Sequence, residues 1–150
     1  MEWELGHATG ELGERLWQAF LSGRVLLALA LAAAVGRPDA HAGEVPVLYV
    51  QLREGRSATE AELNQHAQAT VAERAAWPKH VRIVDTLPTT AIGKIFKPAL
   101  TLQEMASVVQ EEAQAVGATL ALCEATQDPK LGAMVRWRAT SNAEELQARL

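Results

Sequence analysis

The segment from Val25 to Val35, VLLALALAAAV, constrains the fold most strongly, because 11 consecutive residues carry no polar side chain. An element that is apolar on all sides has to be buried on all sides. The segment is too short to cross a bilayer, which takes about 20 apolar residues. Periodicity does not separate a buried helix from a helix end followed by a buried strand, so both interpretations stay open.

The residues before this segment argue against a secretory signal peptide. Residues 1–24 contain four glutamates and two arginines, whereas a signal peptide carries positive charge in front of its apolar part. The single cysteine, Cys123, has no internal disulfide partner. We therefore expect a cytoplasmic chain without a membrane span.

Size and charge exclude further classes of protein. With 150 residues, the chain has room for one compact domain and its core, or for a smaller domain with an extension. A net charge of -4 and a pI near 5.6 argue against nucleic acid as a partner, because binding to phosphates needs a basic surface. No cluster of cysteine and histidine has the spacing of zinc ligands, so we expect no metal site.

In the first half of the chain, the sequence predicts a helix before the apolar segment and a strand and a second helix after it. Apolar residues at helical spacing favour a short helix over residues 11–22. The valine-rich segment Glu44–Leu52 is typical of a strand. Ser57 and Thr59 each precede a glutamate by three residues, which gives two overlapping capping boxes for a helix. Trp77 and Pro78 should end that helix. Its predicted buried positions are Leu63, Ala67, Val71 and Ala75.

The second half predicts a strand, a loop, a helix, a hairpin and a last helix. The strand is HVRIVDTL, and the loop lies between Pro88 and Pro98. The helix covers Leu102–Val116, with Met105, Val108, Val109, Glu112 and Val116 at helical spacing. The segments ATLALCEAT and GAMVRWRAT flank a turn, and Ser141 is the expected cap of the final helix. The predicted fold class is α+β, a small mixed sheet covered by helices, with an extra hairpin and helix after residue 102.

The loop LPTTAIGKIFK, residues 87–97, contains the strongest candidate for chemistry. It is not a phosphate-binding P-loop, which needs a glycine at the position of Pro88 and a hydroxyl residue at the position of Ile95. What remains is Lys94, a cation that follows Gly93. Glycine permits a sharp bend of the backbone, and Thr90 is placed to hydrogen bond within the loop and fix its shape. Lys97 is interpreted as a solvated charge.

Three ordered pieces carry a family resemblance. The segment GRPDAHAGEVPVLYVQL, Gly36–Leu52, is followed by the capped helix and then by PKHVRIVDTLPTTAIGKIFK, Pro78–Lys97. Together they resemble the C-terminal domain of the adenylate-forming acyl-CoA synthetases, the AMP-binding enzyme superfamily. The resemblance implies an atypical helical and apolar segment over residues 1–35, a lid domain over residues 36–101, and an extension over residues 102–150 that packs on the same domain.

The resemblance also implies a function for the loop. In this family a carboxylic acid, here a fatty acid by expectation, reacts with ATP to give an acyl-adenylate, and coenzyme A then displaces AMP. The small domain is a lid that rotates between the two steps. The family pattern P-x-x-x-x-G-K falls on Pro88–Lys94, which implies that Lys94 is the catalytic lysine. Gly93 and Thr90 are the implied contributors to cofactor binding from the loop.

The partners follow from the same resemblance. ATP or AMP and coenzyme A are substrates, Mg²⁺ binds through a large N-terminal adenylation domain, and none of them binds tightly to this chain alone. We therefore expect the isolated chain to be a lid domain without activity of its own. Thr89 and Ile92 depart from the family, which usually has a basic and a hydroxyl residue there. A non-catalytic interaction or dimerisation module that retains the lid fold, with a homodimer as its assembly, stays open as the alternative.

Overall fold

The computed structural model describes residues 28–150, and within them the apolar segment is a strand. β1 spans Leu29–Asp39 and β2 spans Gly43–Leu52. Leu29 and residues 32–35 are buried, as an element without polar side chains requires. The interpretation as a buried helix is therefore wrong from Leu29 onward, and the buried strand of the other interpretation forms. The helix end that should precede the strand lies outside the described residues. The helix predicted over residues 11–22 lies outside the described residues.

A tight turn and a glycine join β1 to β2. The Asp39 carboxylate accepts hydrogen bonds from the backbone N–H groups of His41 and Ala42, both at 2.9 Å. Gly43 follows with a φ of 76°, a left-handed conformation that favours glycine. At the other end of the pair, the Arg53 N–H donates to the Ala28 carbonyl at 2.9 Å. The two strands therefore run antiparallel.

The strand β2 occupies the centre of a three-stranded sheet with the order β1-β2-β3. β3 spans His80–Val84 and runs parallel to β2, in a register that pairs Val47 with His80 and Gln51 with Val84. Residues 47–50 of β2 are fully buried, including the ring of Tyr49. Parallel and antiparallel pairing in one small sheet confirms the predicted mixed sheet.

The helix α1 spans Glu60–Thr70 and crosses from β2 to β3. Leu63 and Ala67 are buried in the core that also contains Leu48, Val50 and Val81. A helix that packs one apolar stripe on a sheet gains most of its stability from this burial.

The helix α1 ends at Thr70, earlier than Trp77–Pro78 predicts. Val71 is extended, and a 3₁₀ turn at Arg74–Ala76 follows. The Trp77 indole N–H then donates to the Val71 carbonyl at 2.8 Å, which satisfies the end of the helix. Ala75 lies in the 3₁₀ turn and is exposed, so its assignment to the buried stripe is wrong.

Of the two overlapping capping boxes, the structure forms the one at Thr59. The Thr59 hydroxyl accepts from the Glu62 N–H at 3.2 Å, and the Glu62 carboxylate accepts from the Thr59 N–H at 2.8 Å. These bonds from the Thr59 backbone and hydroxyl hold the pKa of Glu62 below its usual value. Because the unfolded chain binds this proton more tightly, the stabilisation is present above the usual pKa and is lost as the pH falls through the lowered one.

Thr59→Ala is expected to lower the free energy of unfolding by about 1 kcal/mol at neutral pH, since the helix loses its N-cap. The loss should shrink at acidic pH, where the Glu62 carboxylate is protonated. Urea denaturation followed by circular dichroism at both pH values measures this. Ser57→Ala is the matched control, because Ser57 belongs to the box that does not form. An equal loss in both variants would contradict the assignment of the cap.

The described residues form two compact units, residues 28–36 with 45–97 and residues 37–44 with 98–150. The helix α2 spans Lys97–Ala115, and from Pro98 onward it belongs to the second unit. It begins five residues before the predicted start at Leu102, because Pro98 occupies its first turn, where the missing N–H costs nothing. Its buried residues are Leu100, Glu104, Val109 and Ala113. Of the residues predicted at helical spacing, Val109 alone is among them.

The predicted hairpin in the second unit is confirmed. β4 spans Leu120–Asp128 and β5 spans Gly132–Ala139, paired antiparallel. The Asp128 carboxylate accepts from the N–H groups of Lys130 and Leu131 at 2.8 and 2.9 Å, which fixes the turn between the strands.

The last helix, α3, spans Ala143–Arg149, and its cap differs from the prediction. The N-cap is Asn142 in a left-handed conformation, with a φ of 51°, and not Ser141. The Ser141 hydroxyl instead accepts from the Thr119 N–H at 3.0 Å, and the Asn142 amide donates to the Val116 carbonyl at 2.8 Å. Both side chains tie this turn to the end of α2. Over residues 28–150, no helix has the length and apolar character that a membrane crossing demands.

Candidate functional site

The loop that contains Lys94 folds as a small hairpin. Thr89 and Ile95 pair antiparallel. The Phe96 N–H donates to the Pro88 carbonyl at 2.7 Å, and the Thr90 N–H donates to the Lys94 carbonyl at 2.7 Å. Residues 91–93 are the loop between the two arms. The backbone of this segment is therefore held by hydrogen bonds on both sides of the turn.

Gly93 closes this turn in a conformation that other residues adopt at a cost. Its φ is 82°, and its N–H donates to the Thr90 carbonyl at 2.9 Å. A Cβ built at Gly93 would meet no atom within 4 Å, so the requirement for glycine comes from the backbone and not from crowding. Three-residue hairpin loops commonly end on a left-handed residue, and glycine suits that position.

The Thr90 side chain fixes the same turn, as the sequence predicts. Its hydroxyl oxygen accepts a hydrogen bond from the Lys94 N–H at 3.2 Å. Together with the bond from the Thr90 N–H to the Lys94 carbonyl, this places both backbone groups of Lys94 in contact with Thr90. A role of Thr90 or Gly93 in cofactor binding stays a prediction.

The hairpin is attached to the sheet at its base. Leu87 is fully buried, and its N–H donates to the side-chain oxygen of Gln51 at 2.9 Å. Gln51 is the last residue of β2 that pairs with β3. The sheet therefore holds the start of the loop, and the turn at residues 91–93 lies at its far end.

Lys94 itself is exposed, on the second arm of the hairpin. Side chains alternate along an extended arm, so Lys94 and Phe96 share one face, and Ile95 lies on the other. Phe96 is 46% exposed and Ile92, in the turn, is 78% exposed. The hairpin thus presents one ammonium group among large apolar side chains.

The lysine that follows, Lys97, is not the solvated charge that the sequence suggests. It begins α2 and is partly buried, and this burial lowers the pKa of its ammonium group. Burial of an amine disfavours the charged form because the group loses its hydration. Lys94 and Lys97 therefore differ in environment, and Lys94 is the one on the exposed hairpin.

Comparison with known proteins assigns one part of the chain to a family. The model of the AMP-binding enzyme C-terminal domain matches residues 27–94, and the match ends at the hairpin lysine. Residues 27–94 are an AMP-binding enzyme C-terminal domain. The resemblance drawn from Gly36–Lys97 is confirmed, and the match begins earlier, near the start of β1.

Relatives of this AMP-binding C-terminal domain include a coenzyme A ligase and an acetyl-coenzyme A synthetase. The chain is 46% identical to marinolic acid–CoA ligase of a Pseudoalteromonas species over 60% of its own length and 14% of the ligase. It is 42% identical to acetyl-coenzyme A synthetase of Deinococcus radiodurans, over 44% of the chain and 10% of that enzyme. The chain thus spans about a seventh or less of these relatives.

A solved structure supports the same fold. The acyl-CoA synthetase of Brucella canis superposes with a TM-score of 0.52 at 29% identity, over 61% of this chain and 17% of the synthetase. A small domain with sheets and helices, as described above, therefore matches the C-terminal domains of adenylate-forming enzymes.

Two features of the site were missed from the sequence. The contact of Gln51 with the Leu87 N–H joins residues 36 positions apart, and a glutamine in a strand gives no signal of it. The exposure of Ile92 and Phe96 was also missed, because apolar residues are by default assigned to the interior.

Within residues 28–150, no three His, Cys, Asp or Glu side chains come together as a site for a metal ion.

Proposed function

We propose that this chain is the lid of an AMP-forming carboxylate–CoA ligase, and that Lys94 is its catalytic lysine. The observation that carries the proposal is the position of Lys94, exposed on a hydrogen-bonded hairpin within the AMP-binding C-terminal domain. Turnover requires a large N-terminal adenylation domain, which supplies the sites for ATP, its Mg²⁺ and the carboxylate.

The chemistry explains the need for a fixed cation. A carboxylate oxygen forms a bond to the α-phosphorus of ATP while the bond from that phosphorus to pyrophosphate breaks. Two anions approach each other in this step, and an ammonium group placed between them stabilises the charge of the transition state. Coenzyme A then attacks the acyl carbon through its sulfur, and AMP leaves.

The hairpin supplies the positioning that this role needs. Its backbone is held by Pro88 and Thr90 on one arm and by Phe96 and Lys94 on the other. Because the backbone is ordered before the reaction, only the Lys94 side chain has to be ordered in the reacting complex. Thr90 and Gly93 position Lys94, because they form the turn that precedes it.

The proposal extends to the substrates and the location of the ligase. A fatty acid is the proposed carboxylate, and coenzyme A is the proposed acceptor. The relatives named above include ligases for marinolic acid and for acetate, so both small and large carboxylates occur among them. A single cysteine favours a cytoplasmic location.

The test is to complete a ligase that lacks its lid. The full chain replaces the C-terminal domain of the Pseudoalteromonas ligase in a fusion, and carboxylate-dependent exchange of pyrophosphate into ATP is measured. We expect exchange well above that of the large domain alone. The same large domain rejoined to its own C-terminal domain is the positive control. If that control exchanges and the fusion with this chain does not, the proposal is wrong.

A further inference from the structure

The turn that presents Lys94 also exposes two of the largest apolar side chains found on the surface of residues 28–150. Ile92 is 78% exposed and Phe96 is 46% exposed. They lie two residues before and two residues after Lys94. Single exposed apolar residues are common on protein surfaces, but two that flank a candidate catalytic cation on one hairpin call for an explanation.

The geometry of the hairpin makes these side chains a preformed contact. Phe96 shares a face with Lys94, about 7 Å away along an extended arm. The Phe96 N–H is bonded to the Pro88 carbonyl, and Ile92 lies in the turn closed by the bond from the Gly93 N–H to Thr90. Neither backbone position needs to be ordered when a partner binds, which reduces the entropic cost of association.

We propose that Ile92 and Phe96 are the apolar anchor by which the hairpin docks on the large adenylation domain, at the rim of the site that Lys94 enters. This inference rests on the proposed function, because that function brings the hairpin against the large domain. The occupant follows from continuity: a surface that delivers Lys94 to a site in the other domain places the neighbouring side chains against that domain as well. Partly apolar contacts suit domains that move relative to each other.

Substitutions in the anchor are expected to produce a different kinetic defect from substitutions of Lys94. The large domain of the Pseudoalteromonas ligase and the full chain are supplied as separate proteins, and pyrophosphate exchange is measured as the chain is titrated. Ile92→Ser should raise the concentration of chain at half-maximal exchange about tenfold, and Phe96→Ser by a similar factor. The maximal rate at saturating chain should stay within about twofold, because Lys94 is still delivered.

The chain offers matched controls in its other unit. Leu131, in the turn between β4 and β5, is 75% exposed, and Leu150 is 46% exposed. Leu131→Ser and Leu150→Ser remove apolar surface comparable to that of Ile92 and Phe96, and they should leave the titration unchanged. All four side chains are exposed, so none of the substitutions opens a cavity in a core.

Direct binding separates this inference from the proposed function. Fluorescence anisotropy of the labelled chain with the large domain needs no catalysis. Binding that weakens about tenfold in Ile92→Ser but not in Leu131→Ser supports the anchor, even where exchange is absent and the proposed function therefore fails. Equal affinities of these two variants overturn the anchor, even where exchange is restored. Self-association of the chain that Ile92→Ser abolishes, without weaker binding to the large domain, also overturns it.

Discussion

In the fused ligase, Lys94→Ala is expected to lower the rate of carboxylate-dependent pyrophosphate exchange by about 100- to 1000-fold, the usual cost of one preorganised charge-stabilising group. The loss should appear in the maximal rate, because the ammonium group acts on the transition state and not on bound ATP alone. Stopped exchange assays at saturating ATP and carboxylate measure it. The hairpin itself should persist, since Lys94 is exposed and its backbone makes the bonds to Thr90.

The second half of the reaction separates this role from a general defect. Formation of the thioester from a preformed acyl-adenylate and coenzyme A does not bring a carboxylate against a triphosphate, so Lys94→Ala should change its rate by only a few-fold. Lys94→Arg keeps the charge in a longer, planar group and should recover part of the exchange. Lys130→Ala, at an exposed lysine of the β4–β5 turn, is the matched control. A comparable loss in Lys130→Ala, or full exchange in Lys94→Ala, would exclude the catalytic role.

Elements with a local signal were predictable from the sequence. The alternating and valine-rich segments became β2 and β3, and the turn around Asp128 gave the hairpin of β4 and β5. The apolar segment before Gly36 was ambiguous because a fully buried strand and a buried helix have the same composition. Pairing with β2 decided it, and pairing is a property of two segments together.

The helix ends show where local signals fail. Thr59 and Ser57 were equal candidates for the cap of α1, but the Glu60 carboxylate that a Ser57 box requires accepts from the Ile83 N–H at 3.1 Å, and Thr59 became the cap. Ser141 had the better local pattern for α3, yet its hydroxyl is used to bind the Thr119 N–H, and Asn142 became the cap. In both cases a contact between distant residues determined which side chain was available.

The candidate site was predicted in its parts and not in its surroundings. The spacing of Pro88, Gly93 and Lys94 indicated the loop, and its tight turn and the Thr90 contact are as expected. The hydrogen bond from the Leu87 N–H to Gln51 and the exposure of Ile92 and Phe96 could not be predicted from the sequence, because both depend on how the loop packs on the sheet.

A buried ion pair in the second unit predicts the largest effect on stability. Arg37, 7% exposed at the end of β1, contacts Glu104 of α2 at 2.8 Å, and Glu104 is 0% exposed. The same guanidinium contacts Glu111 at 2.5 Å, two helical turns further along the same face of α2. Arg37→Met is expected to lower the free energy of unfolding by about 3–5 kcal/mol, because it removes the guanidinium from a buried carboxylate. Urea denaturation followed by circular dichroism measures the loss.

An exposed ion pair in the same unit is the matched comparison for Arg37→Met. Arg149 and Glu112 form an ion pair in the same unit, between side chains that are 50% and 30% exposed. Arg149→Met should cost less than about 1 kcal/mol, since an exposed pair gains little over its hydration. Arg37→Met with Glu104→Leu removes both buried charges and should recover most of the stability lost by Arg37→Met alone, because desolvation offsets much of the attraction in a buried pair. If Arg37→Met costs no more than Arg149→Met, or the double variant is less stable than Arg37→Met, burial of the Glu104 charge is not what makes Arg37 necessary.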